Sequence, residues 1–262
     1  LFEPASGDVK DLLDAHLEVI AWDVRDQQCA VIGRRFEGKA PVTRELWMID
    51  LSDAAVRRLP IGDLVLDEVR FLDESTLLAT GTDMESYGLG QNRELLAIDL
   101  KTVSAVSRTP GWDWTVGNSI ATDCRHGSGP TLRVDDGTAY VPVTHRITVD
   151  LLRMTPDGEV QTVVESPGSI DAYDVRNGSV LTIELRPDRL QEVYLHDGSG
   201  ETRLTTLNEQ SLADRPLSVP ERFAVPSARG DEIDAWLIRP PASDSNTKLP
   251  TILTIHGGPR GA

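Results

Sequence analysis

Residues 45–60 read ELWMIDLSDAAVRRLP, and residues 94–110 read ELLAIDLKTVSAVSRTP. Both open with Glu-Leu, pass through two residues to Ile-Asp-Leu, turn on polar residues, and run into a second strand-like stretch that ends near an arginine. Residues 192–208, EVYLHDGSGETRLTTLN, follow the same plan, and residues 151–167, LLRMTPDGEVQTVVESP, are a looser copy. Leu46, Leu95, Leu152 and Val193 hold equivalent places, at spacings of 49, 57 and 41 residues. A plan that returns at such intervals points to a stacked repeat.

A further hairpin precedes the later copies. VRFLDESTLLAT begins at Val69, LRVDDGTAYVPV at Leu132 and YDVRNGSVLTIEL at Tyr173, and LEVIAWDVRDQQCAVIG from Leu17 fills the same role ahead of Glu45. Asp136-Gly137 and Asn177-Gly178 sit between the strands, where type I′ turns require positive φ. Each unit is thus two hairpins, or four strands, which is the size of a β-propeller blade. A lone four-stranded sheet leaves a face bare, and stacking blades covers it. The reading is all-β: about four blades between Leu12 and Asn208, part of a larger propeller, with a two-sheet sandwich as the competing architecture. Helical spacing is confined to a short stretch near residues 9–17. MESYGLGQNR (84–93) and DCRHGSGP (123–130) read as loops at blade ends, where binding surfaces tend to lie.

Composition narrows the class. The 262 residues carry 42 acidic and 26 basic side chains, a formal charge of −16, and no basic patch of the kind nucleic acid requires. No stretch approaches the roughly 20 apolar residues of a membrane helix. Two cysteines, Cys29 and Cys124, make no disulfide framework and fit a reducing, cytoplasmic setting. The chain opens without Met or a leader-like segment, and the native N-terminus is expected upstream.

The repeat stops after Asn208. EQSLADRPLSVPERF reads as a linker, so residues 1–214 are expected to form the propeller and 215–262 the start of a second, α/β domain. A hairpin follows, from Arg222–Val225 through Ser-Ala-Arg-Gly into Ile233–Arg239, closed by Pro240-Pro241. Thr251–Ile255 is apolar without alternation, as in a strand covered on both faces. It leads into His256-Gly257-Gly258-Pro259. Acyl-transfer enzymes stabilise an oxyanion with fixed N–H donors, and glycine lets backbone approach closely. In α/β-hydrolases one donor comes from a His-Gly-Gly loop after the third strand. Gly257 and Gly258 are therefore the candidate donors, Gly258 the better placed, with His256 bracing the loop. The plain alternative is a tight turn after a strand.

Three stretches in order, EVYLHDGSGETRLTTLN, ERFAVPSARGDEIDAWLIRPP and KLPTILTIHGGPRGA, resemble the prolyl oligopeptidase family of serine peptidases, above all its acylaminoacyl-peptidase branch. The matching motifs are the blade-closing Arg-Leu-Thr-x-x-Asn, the Ser-x-x-Gly-x-x-Ile-x-x-Trp-Leu hairpin and His-Gly-Gly-Pro. Residues 12–170 match only in their repeat plan. The resemblance implies a propeller capping an α/β-hydrolase domain, an active site in the cavity between them, short peptide substrates and a Ser-Asp-His triad downstream of the oxyanion loop. The chain departs from the family pattern in one respect. It holds no Gly-x-Ser-x-Gly, and GNSIA at Gly117 lies in the repeat region without the final glycine. The triad is accordingly expected beyond Ala262, in the same gene or on a partner chain, and this chain alone is expected to be an inactive fragment.

The remaining constellations point less far. Cys124, His126 and His145 are zinc-ligand types without zinc spacing, so neither metal nor cofactor is expected. Trp112 and Trp114 are expected on one face of a strand, packing between blades, with substrate contact as the alternative. Arg57, Arg58, Arg108 and Arg203 recur near blade edges and read as solvated charge. Thr251–Ile255 without neighbours invites pairing with another copy, so a homo-oligomer is possible. The alternative function is a non-catalytic propeller that binds a peptide or protein.

Overall fold

The computed structural model describes residues 1–14, 16–122, 124–125, 129–155, 157–244 and 248–255. Two short strands, β1 (Phe2–Glu3) and β2 (Asp8–Val9), pair at the start. The first blade is an antiparallel sheet of β3 (Leu17–Arg25), β4 (Gln28–Arg35), β5 (Glu45–Asp50) and β6 (Val56–Leu59), in chain order. The second repeats it with β7 (Val65–Phe71), β8 (Thr76–Thr82), β9 (Glu94–Asp99) and β10 (Ser104–Ser107). Then come β11 (Thr115–Val116) and a third group of β12 (Arg133–Asp135), β13 (Thr138–His145), β14 (Thr148–Met154) and β15 (Val160–Val164). The fourth has β16 (Ser169–Arg176), β17 (Ser179–Arg186), β18 (Arg189–Asp197) and β19 (Gly200–Arg203). A one-turn helix, α1 (Glu209–Leu212), precedes a final hairpin of β20 (Glu221–Pro226) and β21 (Glu232–Leu237). The all-β, bladed architecture follows the repeat read from the sequence. The chain gathers into two compact units, one of residues 1–117, 131–143 and 152–163, the other of 118–130, 144–151 and 164–262.

The turns form for the reasons the residues supply. Asp136 and Gly137 have φ of 45° and 72°, and Asn177 and Gly178 have 52° and 77°, the paired positive values of type I′ hairpins. The aspartate shared by the repeats closes the next hairpin. Asp50 Oδ1 accepts from the Ser52 N–H at 2.9 Å, Asp99 Oδ1 from Lys101 at 2.8 Å, and Asp197 Oδ1 from Ser199 at 2.8 Å. These are Asx-turns, in which a short carboxylate replaces a backbone acceptor. The turn donors hold all three carboxyls below their ordinary pKa.

Alternation along β9 explains the packing. Leu96 and Ile98 join Ala30, Ile32, Leu46 and Met48 of the first blade in one apolar cluster. Leu95 and Ala97 point the other way and join Leu132, Val141, Val143 and Leu152 in a second. Successive side chains of a strand face opposite sides, so a strand between two blades must be apolar on both. Each buried leucine or isoleucine there contributes about 1.5–3 kcal/mol.

Three expectations need correction. The described residues of 9–17 form no helix: Val9 pairs with Phe2, and the Leu1 ammonium donates to the Lys10 carbonyl at 2.7 Å. Nine residues are too few to offset helix nucleation when strand partners are at hand. The linker contains the single turn of α1. Residues 112–114 are loop, not strand. Thr251–Ile255 forms no strand, and Ile252, Leu253 and Ile255 are 90%, 82% and 81% exposed. A strand exists through its ladder, and no described residue pairs with this stretch.

Candidate functional site

His256, Gly257 and Gly258, the residues expected to form the oxyanion loop, lie outside the described residues. The hairpin that leads toward them is described. In its register Arg222 faces Trp236 and Phe223 faces Ala235. Asp234 of β21 is the fixed point. Arg222 donates to its Oδ1 through Nε at 2.8 Å and Nη2 at 2.6 Å, and Arg146 donates to its Oδ2 through Nε at 2.9 Å. Arg146 also reaches Glu232 at 3.4 Å. It occupies the β13–β14 turn with φ of 56°. Burial works to raise the Asp234 carboxyl, but the hydrogen bond from Arg222 and the charges of Arg146 and Arg222 outweigh it and hold the group below its ordinary value. The hairpin is thereby tied to a blade turn by a carboxylate clamped between two guanidiniums.

The blade-closing motif has a physical role. Glu192, on β18, is 3% exposed. Its carboxylate accepts from the Thr205 hydroxyl at 2.5 Å, from the Leu207 N–H at 3.0 Å and from the Asn208 N–H at 3.1 Å. Thr205 Oγ1 in turn accepts from the Val193 N–H at 2.9 Å, and the Asn208 amide donates to the Gln191 carbonyl at 3.0 Å. Arg-Leu-Thr-x-x-Asn is therefore a strap around a buried acid. In the second blade Thr109 Oγ1 likewise accepts from a strand amide, the Leu95 N–H, at 3.1 Å.

A second device recurs in the first strand of a blade. The register of β3 on β4 slips between Val19 and Ala21, that of β7 on β8 between Leu66 and Glu68, and that of β16 on β17 between Ile170 and Ala172. Each slip is a bulge, which re-aims one side chain. The re-aimed residues are Ile20, Asp67 and Asp171. Asp67 accepts from Arg44 at 2.7 Å and Arg93 at 2.6 Å. Asp171 accepts from Arg125 at 2.8 Å, Asn118 at 3.1 Å, Ser169 at 2.6 Å and Gln191 at 3.0 Å. GNSIA, the stretch closest to a nucleophile motif, belongs to this network. Asn118 also donates to the Ile170 carbonyl at 2.9 Å, and the Ser119 N–H donates to Thr144 Oγ1 at 2.9 Å. Its role is structural.

The deepest charge is Glu184, fully buried on β17. Thr182, Ser166 and His196 meet it at 2.6, 3.0 and 3.0 Å, and Arg186 donates to it at 2.8 Å while also bonding Glu201 at 2.6 Å. The Arg186 guanidinium lies 3.8 Å from the centre of the Tyr194 ring. Glu184, His196 and Glu201 bring possible metal-ligand atoms within 4.8 Å of one another, but the guanidinium already supplies the positive charge that a metal would bring. Of the zinc-type residues, Cys124 is exposed, and His126 lies outside the described residues. Sequence reasoning missed Glu184, Glu192, Asp67 and Asp171. Each lies within a strand and is held by partners distant in sequence.

No family model matches the chain. An uncharacterized peptidase, YuxL, of Bacillus subtilis is 36% identical over 75 residues, covering 28% of this chain and 11% of that protein. Dipeptidyl-peptidase 5 of Porphyromonas gingivalis is 22% identical over 255 residues, covering 93% of this chain and 35% of that protein. The chain thus spans about a tenth to a third of these curated relatives. Among solved structures, the acylaminoacyl peptidase of Pyrococcus horikoshii superposes with a TM-score of 0.65 at 16% identity, over 84% of this chain and 32% of that one. The β-propeller domain of the Trilobed protease of Pyrococcus furiosus gives 0.57 at 18%, over 79% and 60%. The fold is that of a propeller of the kind peptidases carry. The curated relatives and the structural neighbours are peptidases, as the resemblance to the prolyl oligopeptidase family implied.

Proposed function

We propose that this chain contributes the propeller and the first hydrolase strands of a propeller-gated serine peptidase. The complete protein cleaves short peptides, acylaminoacyl- or oligopeptides, by Ser-His-Asp acyl transfer. Residues 1–214 form the gating blades and 215–262 open the catalytic domain. The Gly258 N–H, with Gly257 beside it, faces the oxyanion, and His256 braces their loop. The rest of the catalytic domain supplies the serine, its base and the orienting acid. We place the enzyme in the cytoplasm, and among the described residues no helix is long and apolar enough to cross a membrane.

The observation that carries this reading is the order of three features. The Arg203–Asn208 strap closes a blade around Glu192, the clamped hairpin follows, and His-Gly-Gly-Pro comes third in sequence. The curated relatives are peptidases, which supports the same chemistry.

The test is labelling of the full-length protein with an active-serine phosphonate. Stoichiometric labelling, abolished by alanine at the serine of a downstream Gly-x-Ser-x-Gly, is the expected result. Absence of labelling in a folded full-length protein that still binds peptide would leave the second reading, a non-catalytic binding propeller.

A further inference from the structure

Between the second and third blades, the loop after β10 builds a cavity that no part of the peptidase reading uses. Trp112 and Trp114 form two of its walls, their ring centres 5.3 Å apart and their planes at 64°. Leu152 and Val160 add apolar surface, Thr162 and Asp113 complete the lining, and the volume is about 390 Å³. All six residues belong to one compact unit. Both indoles are only half-buried, although their inner edges pack on the cluster of Val116, Leu132 and Leu152. Packing between blades accounts for those edges. It does not account for open aromatic surface flanking a carboxylate.

We propose that this cavity binds the ammonium head of a small organic cation, with Trp112 and Trp114 as its aromatic walls and Asp113 as its counter-ion. Three observations select that ligand. Indole faces carry negative charge density and attract a cation held within about 6 Å of the ring centre. Asp113 is exposed and, among the described residues, is paired with no cationic side chain. Among the described residues, no lysine, arginine or histidine lines the cavity. An anion meets an uncompensated carboxylate there, in a protein of formal charge −16. A neutral apolar molecule gains nothing from Asp113. The volume falls at the small end of ligand pockets and suits a head group rather than a folded partner. An alkylated ammonium fits best, because its methyl groups contact the indoles and Leu152 without giving up strong hydration.

Choline and its uncharged isostere 3,3-dimethyl-1-butanol separate charge from shape. Titration calorimetry of the full-length protein is expected to show saturable choline binding about tenfold tighter than that of the isostere. Asp113→Asn changes an exposed side chain at constant volume and leaves the fold intact. It is expected to weaken choline several-fold and leave the isostere unmoved, and raising the salt is expected to reproduce part of that loss. Trp114→Leu is expected to remove the preference for charge. Equal affinity for the two probes, no binding of choline, or full choline affinity in Asp113→Asn overturns the proposal. None of these outcomes depends on peptidase activity.

Discussion

Residues 94–99, ELLAID, and 251–255, TILTI, are similar in character: short, apolar and fit for a strand. The first is β9, with Leu95 and Ile98 at 1% and 0% exposure between two blades. The second is irregular, and Ile252 is 90% exposed. Propensity is the same in both, and what differs is company. β9 has β8 and β10 on its edges and an apolar cluster on each face. Residues 251–255 have neither among the described residues. An apolar run is thus a demand for neighbours, which the repeat meets within itself and the tail does not.

The sharpest way to break this comparison is to make the same truncation in both places. Ile98→Ala removes a fully buried side chain from the cluster shared by the first two blades and is expected to cost about 2–5 kcal/mol in urea unfolding. Ile252→Ala is expected to leave the midpoint unchanged within about 0.5 kcal/mol. A comparable loss from the two substitutions would mean that residues 251–255 are packed in solution.

The next effect concerns the strap around Glu192. Glu192→Ala strips the acceptor from Thr205, Leu207 and Asn208 and is expected to cost about 2–3 kcal/mol. Acid should do the same gradually. Burial pushes the Glu192 carboxyl up, but the Thr205 hydroxyl and the two N–H donors outweigh it, so its pKa lies below the ordinary 4.5. A depressed carboxyl contributes stability that is complete above the unfolded pKa and is lost as pH falls through the folded one. Stability of the native chain should therefore fall more steeply than that of Glu192→Ala as pH drops below about 4.5. Parallel curves would show that the strap holds without the charge.

These cases mark what the sequence makes legible. Period, hairpin turns and Asx-turns were readable because each depends on residues a few positions apart: Asn177-Gly178 sets its own φ, and Asp50 finds Ser52 two residues on. The buried acids were not readable, because their partners are distant. Asp171 needs Arg125, 46 residues away, and Asp67 needs Arg93, 26 away. In β17 the simple rule inverts. Val180, Thr182 and Glu184 face inward, while Leu181 and Ile183 are 42% and 39% exposed. Glu184 can be inside only because Arg186, His196, Thr182 and Ser166 converge on it, and alternation does not reveal that convergence. The candidate oxyanion loop, His256 to Gly258, was read from a motif alone and lies outside the described residues.

The smallest effect separates local from global stability. Gly178, in the β16–β17 turn, and Gly230, in the β20–β21 turn, have φ of 77° and 92°. Neither would bring an added Cβ within 4 Å of another heavy atom, so alanine is penalised at both by backbone strain alone. That strain is about 1 kcal/mol. Gly178 belongs to a blade whose strands bury Val180, Thr182 and Tyr194, and Gly178→Ala should lower global stability by that full amount. Gly230 belongs to a hairpin whose first strand is exposed throughout, held by its own ladder and the Asp234 clamp. Such a hairpin opens without unfolding the blades. Gly230→Ala should therefore leave the urea midpoint in place and instead speed amide exchange across β20 and β21 by roughly fivefold. A shift of the midpoint equal to that of Gly178→Ala would show that hairpin and blade unfold as one, and that the contrast between repeat and tail begins later in the chain than Glu221.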